Sequence, residues 1–172
     1  HLDVFGGDRR DELVQVALDA GAVHPDIGQG DVPWVVLGAP EDYAFRVMPQ
    51  RRWYRDTGPI AGIPIDADDV PAANAFRREA FDWVADDENI FRHPSGYGPL
   101  IAFTEPVEPK RGKNPMHLDL RVAPGQDYEA ELARLLGLGA RRLQHNWGEL
   151  NWTVLVDPGN NEFCLLRPIT AG

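Results

Sequence analysis

The string HLDVFGGDRRDELVQVALDAGA at residue 1 recurs as HLDLRVAPGQDYEAELARLLGLGA at residue 117. The match continues downstream, where GDVPWVVLGAPEDYAFRVM stands against GELNWTVLVDPGNNEFCLL. Trp34 pairs with Trp152 and Gly21 with Gly139 at one spacing, whereas His1 pairs with His117 at a spacing two residues shorter. A two-residue insertion ahead of the helix accounts for the difference. A duplicated supersecondary unit restricts the fold more than any single residue, because each copy must bury its apolar face in the same way.

Each copy reads strand, helix, then strands. HLDLRV alternates polar and apolar residues, so His117, Asp119 and Arg121 share one face of a strand, and Leu118, Leu120 and Val122 the other. Leu132, Leu135, Leu136 and Leu138 follow at near-helical spacing, and Gly139 stands where a C-terminal cap belongs. LNWTVLVDPGNNEFCLLRP then predicts two strands around a DPGNN turn. Between the copies, GPIAGIPIDADDV predicts a strand, PAANAFRREAFDWVA a helix opened by Pro71, and GYGPLIAFTEP another strand. Three modules result, over about 1–49, 57–108 and 115–169. MPQRRWYRDTG joins the first two and EPKRGKNP the last two.

Composition narrows the partners. The formal charge of −10 opposes an electrostatic nucleic-acid surface, and KRGK at Lys110–Lys113 predicts a solvated connector. One cysteine, Cys164, excludes a disulfide framework and a cysteine-rich zinc site, which points to the cytoplasm. No apolar run approaches the roughly 20 residues that span a bilayer.

The strings HLDL, EPKRGKNPMHLDLRV, ELARLLGLGA and WTVLVDPGNNEFCLL resemble the vicinal-oxygen-chelate superfamily, in its glyoxalase-like, bleomycin-resistance-like and dioxygenase-like branch. That resemblance implies an α+β fold of repeated βαβββ modules, with cupped mixed sheets and helices on the convex side. Family members pair two modules around a ligand or a metal. On that pattern residues 50–172 form a complete glyoxalase-like domain, and 1–49 the second half of a first one. The expected cover for residues 1–49 is an upstream module or, failing that, a second copy of the chain.

In the family, metal ligands come from the first and last strands of a module, positions matched here by His117 and Glu162. Strand parity agrees, since Glu162, Cys164 and Leu166 share a face. An imidazole and a carboxylate suit zinc, iron(II), nickel or manganese. In the middle module Gly62 or Pro64 occupies the histidine position, which leaves Asp66 as the substitute, with His93 and Thr104 further alternatives. In the first module Ala44 replaces the carboxylate. Metal-free, His117 and Glu162 instead satisfy each other as a hydrogen-bonded pair. Trp152, Trp147, Tyr97, Asp119 and Arg121 are candidates for a ligand pocket, while Cys164, between Phe163 and Leu165, reads as a small buried side chain.

Two functions follow from these residues and the resemblance. One is a protein that binds or sequesters a small organic compound in the cup. The alternative is a metal-dependent lyase, isomerase or dioxygenase that uses His117 and Glu162, with Glu162 also moving a proton.

Overall fold

The computed structural model describes residues 1–27, 30–40, 43–87, 89–106 and 108–169. The chain divides into two compact units, one of His1–Ile65 with Trp83–Thr104 and one of Asp66–Asp82 with Glu105–Gly172.

The first unit holds a seven-stranded mixed sheet. Its strands are β1 (Leu2–Phe5), β2 (Val35–Ala39), β3 (Tyr43–Met48), β4 (Ile60–Asp66), β5 (Val84–Asp87), β6 (Ile90–Arg92) and β7 (Leu100–Thr104), in the order β2-β3-β1-β4-β7-β6-β5. β1 is central: it runs parallel to β3, with Asp3 opposite Arg46, and antiparallel to β4, with Asp3 opposite Gly62. The helix α1 (Arg10–Asp19) connects β1 to the rest of its module. One face of this sheet gathers Met48, Tyr54, Ala61 and Leu100, with Phe5, Trp34, Trp53 and Ile90 packed against them. Because alternate strand residues share a face, Asp3 and Arg46 lie on the same side as Phe5 and Met48.

The second unit holds a four-stranded mixed sheet. Its strands are β8 (Leu118–Arg121), β9 (Arg141–Arg142), β10 (Trp152–Val156) and β11 (Glu162–Leu166), in the order β8-β11-β10-β9. The helices α2 (Val70–Ala80) and α3 (Tyr128–Gly137) cover one face. Phe76 and Ala80 of α2 and Tyr128, Leu132 and Leu135 of α3 meet Val122, Leu155, Phe163 and Leu165 there. Tyr128 keeps its hydroxyl satisfied inside this core by donating to the Leu165 carbonyl at 3.1 Å.

Local chemistry sets the element ends. The side chains of Asp69 and Asp127 accept from the Ala72 and Ala130 amides, capping α2 and α3. After α3, Gly139 takes a positive φ of 107°, and the Ala140 amide donates to the Leu135 carbonyl, the six-to-one closure of a Schellman end. The DPGNN segment turns as expected, with Asn160 left-handed and the Asp157 amide donating to the Asn161 carbonyl.

This is the α+β architecture of βαβββ modules that the sequence predicts, and two details differ. The middle helix ends at Ala80, because Phe81 is extended and Trp83 leads into β5, so FDWVA starts a hairpin instead of a last helical turn. Sheet membership also differs from the expected grouping of 57–108 with 115–169: β4 and β7 share a sheet with β1 and β3, while α2 packs in the second unit. β1 therefore has hydrogen-bonded neighbours on both sides, whereas its counterpart β8 is an edge strand with β11 as its neighbour.

Candidate functional site

On the face of the second sheet opposite the helices, parity brings His117, Asp119, Glu162 and Cys164 together in sequence register. Cys164 lies directly opposite Asp119 on the parallel pair β8–β11. His117 Nε2 is 3.3 Å from Asp119 Oδ1. Among the described residues, His117, Asp119 and Cys164 form a group whose ligand atoms all lie within 4.8 Å of one another. Burial pushes the Cys164 thiol up to about 11, helped by the charge and hydrogen bond of Asp119, while Lys113 acts in the other direction. The thiol is therefore protonated at neutral pH.

Glu162 is committed elsewhere. Its Oε2 accepts from Lys110 Nζ at 2.7 Å and from the Asn114 amide at 3.3 Å, and Lys110 also donates to the Asn160 carbonyl. Burial would raise the Glu162 carboxyl, but these donors outweigh it and hold the group below its ordinary value. Of the expected ligands His117, Glu162 and Asp66, His117 lies in the His117–Asp119–Cys164 group. The group contains neither Glu162 nor Asp66, and Asp66 ends β4, where its carbonyl accepts from Asn161 Nδ2 at 3.0 Å. KRGK also does more than connect, because Lys110 is the cation that neutralises the buried carboxylate.

The candidate pocket residues separate. Trp152 borders a small cavity of about 150 Å³ with His145, Leu150 and Val154. Trp147 stacks on His145 at 4.8 Å and carries Lys113 over its ring at 4.6 Å. Arg121 donates to the Arg167 carbonyl at 2.8 Å. Tyr97 belongs to the other unit and is exposed. Of the further alternatives, His93 packs edge-on to Trp83 and pairs with Ser95, and Thr104 is an exposed strand end.

The first unit repeats the same face with different chemistry. Where the third module has Cys164 opposite Asp119, the first has Arg46 opposite Asp3. Arg46 binds Asp3 through Nε at 2.7 Å and a terminal nitrogen at 3.0 Å, and lies 5.1 Å over the Trp34 ring. The first unit also holds a cavity of about 660 Å³ lined by Arg52, Trp53, Arg55, Asp56, Ile90 and Arg92, among others. Arg92 holds the wall in place by donating to the carbonyls of Trp53 at 2.6 Å, Arg55 at 3.2 Å and Gly96 at 3.3 Å. The segment MPQRRWYRDTG is thus a pocket wall, which reading it as a connector between modules missed. Its signal in the sequence was three arginines interleaved with Trp53 and Tyr54 in an otherwise acidic chain.

No curated protein matches the chain by sequence. Among solved structures, glyoxalase I from Zea mays is 15% identical with a TM-score of 0.61, covering 97% of this chain and 66% of its own length. A mutant form of that enzyme gives 0.63 at 16% identity with the same coverage. A glyoxalase/bleomycin resistance protein/dioxygenase family enzyme from Burkholderia phytofirmans PsJN is 16% identical with a TM-score of 0.49, covering 62% of this chain and 96% of its own. The chain thus spans just under two thirds of the length of the maize enzyme. The glyoxalase-like domain family matches by sequence over residues 62–166, most of the second and third modules. Repeated modules, mixed sheets and this match together assign the chain to the glyoxalase-like domain family of the vicinal-oxygen-chelate superfamily.

Proposed function

We propose that the chain binds a small organic molecule in the cup of its first unit, and that the molecule carries an anionic or oxygen-rich group on an apolar or aromatic body. The observation that carries this reading is the cavity of about 660 Å³ with Arg52, Arg55 and Arg92 around Trp53 and Ile90. Its size falls in the range of small-molecule sites, and its lining combines one aromatic wall with a few polar groups. Three guanidinium groups against one carboxylate, in a chain of net charge −10, make this cavity a local positive region that attracts anions. Arg92 is engaged with three carbonyls, whereas Arg55 is held by an exposed 3.6 Å pairing with Asp56, so Arg52 and Arg55 are the groups placed to swing onto a ligand carboxylate.

The alternative, a metal-dependent lyase, isomerase or dioxygenase reaction at His117 and Glu162, would place a cation beside Lys110, which with the Asn114 amide already holds Glu162 Oε2. Two cations on one largely buried carboxylate repel each other, and this favours the binding reading. A thermal-shift screen of small aromatic carboxylates against their neutral amides or esters tests it. The carboxylates are expected to raise the melting temperature and the neutral analogues not, with the shift lost in Arg52→Ala/Arg55→Ala. Equal shifts for both series, or shifts unaffected by the double variant, would count against an anion-binding cup.

A further inference from the structure

The internal repeat supplies its own control for the side chains around Asp119. Asp3 and Asp119 hold the same place in the repeat, each following a histidine by two residues and each facing the same position of the neighbouring parallel strand. In the first module that position is Arg46, whose guanidinium neutralises Asp3 through two hydrogen bonds, with His1 3.8 Å from the same carboxylate. In the third module the position is Cys164, which brings a thiol instead of a positive charge. The carboxylate and imidazole are kept, and the cation that closes the cluster is gone. A soft donor has taken its place.

We propose that His117 Nε2, the Asp119 carboxylate and Cys164 Sγ together hold a divalent cation of the zinc class, which takes the electrostatic role that Arg46 has in the first module. The donor set is one nitrogen, one oxygen and one sulfur, which suits a borderline-soft ion and disfavours magnesium or calcium. The geometry is compatible. Ligand atoms on a tetrahedral zinc ion stand about 3.4 Å apart, from bonds of about 2.0–2.3 Å, and His117 Nε2 is 3.3 Å from Asp119 Oδ1. The remaining spacings lie within 4.8 Å. His117 and Asp119 are exposed at the rim and can adjust, while Cys164 is buried and fixes the floor. Three protein ligands leave one coordination position for water or a ligand oxygen. When the ion binds, the metal–sulfur bond replaces the S–H bond and the proton leaves to solvent. Lys113, the positive group that acts on Cys164, opposes the ion and lowers its affinity.

This site shares His117 with the His117 and Glu162 pair but uses Asp119 and Cys164 in place of Glu162, so the Asp119, Cys164 and Glu162 variants tell the two apart, and none of them lines the cavity of the first unit. Cobalt(II) titrated into the full chain under reducing conditions is expected to bind one equivalent. A sulfur-to-cobalt charge-transfer band and the visible absorption of a tetrahedral ion should appear, and zinc should displace both. Cys164→Ser should abolish the charge-transfer band, and His117→Gln or Asp119→Asn, at exposed positions, should weaken binding by at least roughly tenfold. Lys113→Gln should tighten binding, and Glu162→Gln should leave the charge-transfer band in place. The proposal is overturned if wild-type protein gives no charge-transfer band, if the band survives in a folded Cys164→Ser variant, or if Glu162→Gln removes it while Asp119→Asn does not. Should Cys164→Ser lose its native circular dichroism, the two rim variants decide the question alone.

Discussion

Arg77 is a buried cation in the second unit. Its side chain is 2% exposed, it donates to Asp157 Oδ2 at 2.7 Å, and Asp157 itself is fully buried. Phe81, Phe163 and Phe76 surround the guanidinium at 4.8, 5.3 and 5.6 Å. Burial lowers the Arg77 pKa, and the charge and hydrogen bond of Asp157 oppose that shift. Arg77→Ala is expected to destabilise the protein by about 3–5 kcal/mol, because Asp157 is then left buried without its cation. Urea denaturation measures this, and a loss under about 1 kcal/mol would show that the pair contributes little. Glu162 gives a pH dependence with a definite sign. Its folded pKa lies below the ordinary 4.5, so its contribution is fully present above the unfolded value and is lost as pH falls through the folded one. Melting temperatures should therefore fall below about pH 4.5, and Lys110→Met should flatten that part of the profile. Strand parity made the shared face of His117, Asp119, Glu162 and Cys164 legible in the sequence. The capture of Glu162 by Lys110 was not legible, because it joins residues 52 apart and Lys110 sits in a connector with no periodicity.

At the scale of elements, the β10–β11 turn is fixed by close packing as much as by its own hydrogen bonds. A Cβ at Gly159 would stand 2.7 Å from Ala73 Cβ and 3.0 Å from Ala67 Cβ, so the turn meets α2 without space for a side chain. Gly159→Ala is expected to cost roughly 1–3 kcal/mol by overpacking, and chemical denaturation would register it. The turn itself was readable from DPGNN, and so were α3, from its leucine spacing and Gly139, and the start of α2, from Pro71. The strands β5 and β6 were not separated from the helix before them, since FDWVADDENIFR is too short and too acidic to show either period clearly. The edge position of β8 predicts a difference in hydrogen exchange. β1 is bonded on both sides and β8 on one, so the β8 amides that do not face β11 should exchange faster than their equivalents in β1. Equal protection of the two strands would mean that β8 has a partner in solution.

For the whole molecule, three copies of one module are used in two ways. The strands of the first two share a sheet, while the sequence match to the family covers the second and third. Reading the sequence by module therefore identifies the repeating unit correctly and leaves open which units pair, because strand pairing is a tertiary choice that identical patterns do not specify. β1 is flanked by β3 and β4, whereas β8, its counterpart in the third module, lies at an edge of the second sheet. Among the described residues no helix is long and apolar enough to cross a membrane. Ligand binding in the arginine-lined cavity of the first unit, as proposed, is tested by amide and indole NMR shift mapping with a carboxylate from the thermal screen. Perturbations are expected to concentrate at Arg52–Asp56, including the Trp53 indole, and at Ile90–Gly96. Perturbations centred instead on His117–Arg121 and Glu162–Leu166, with the Trp53 indole unmoved, would contradict it.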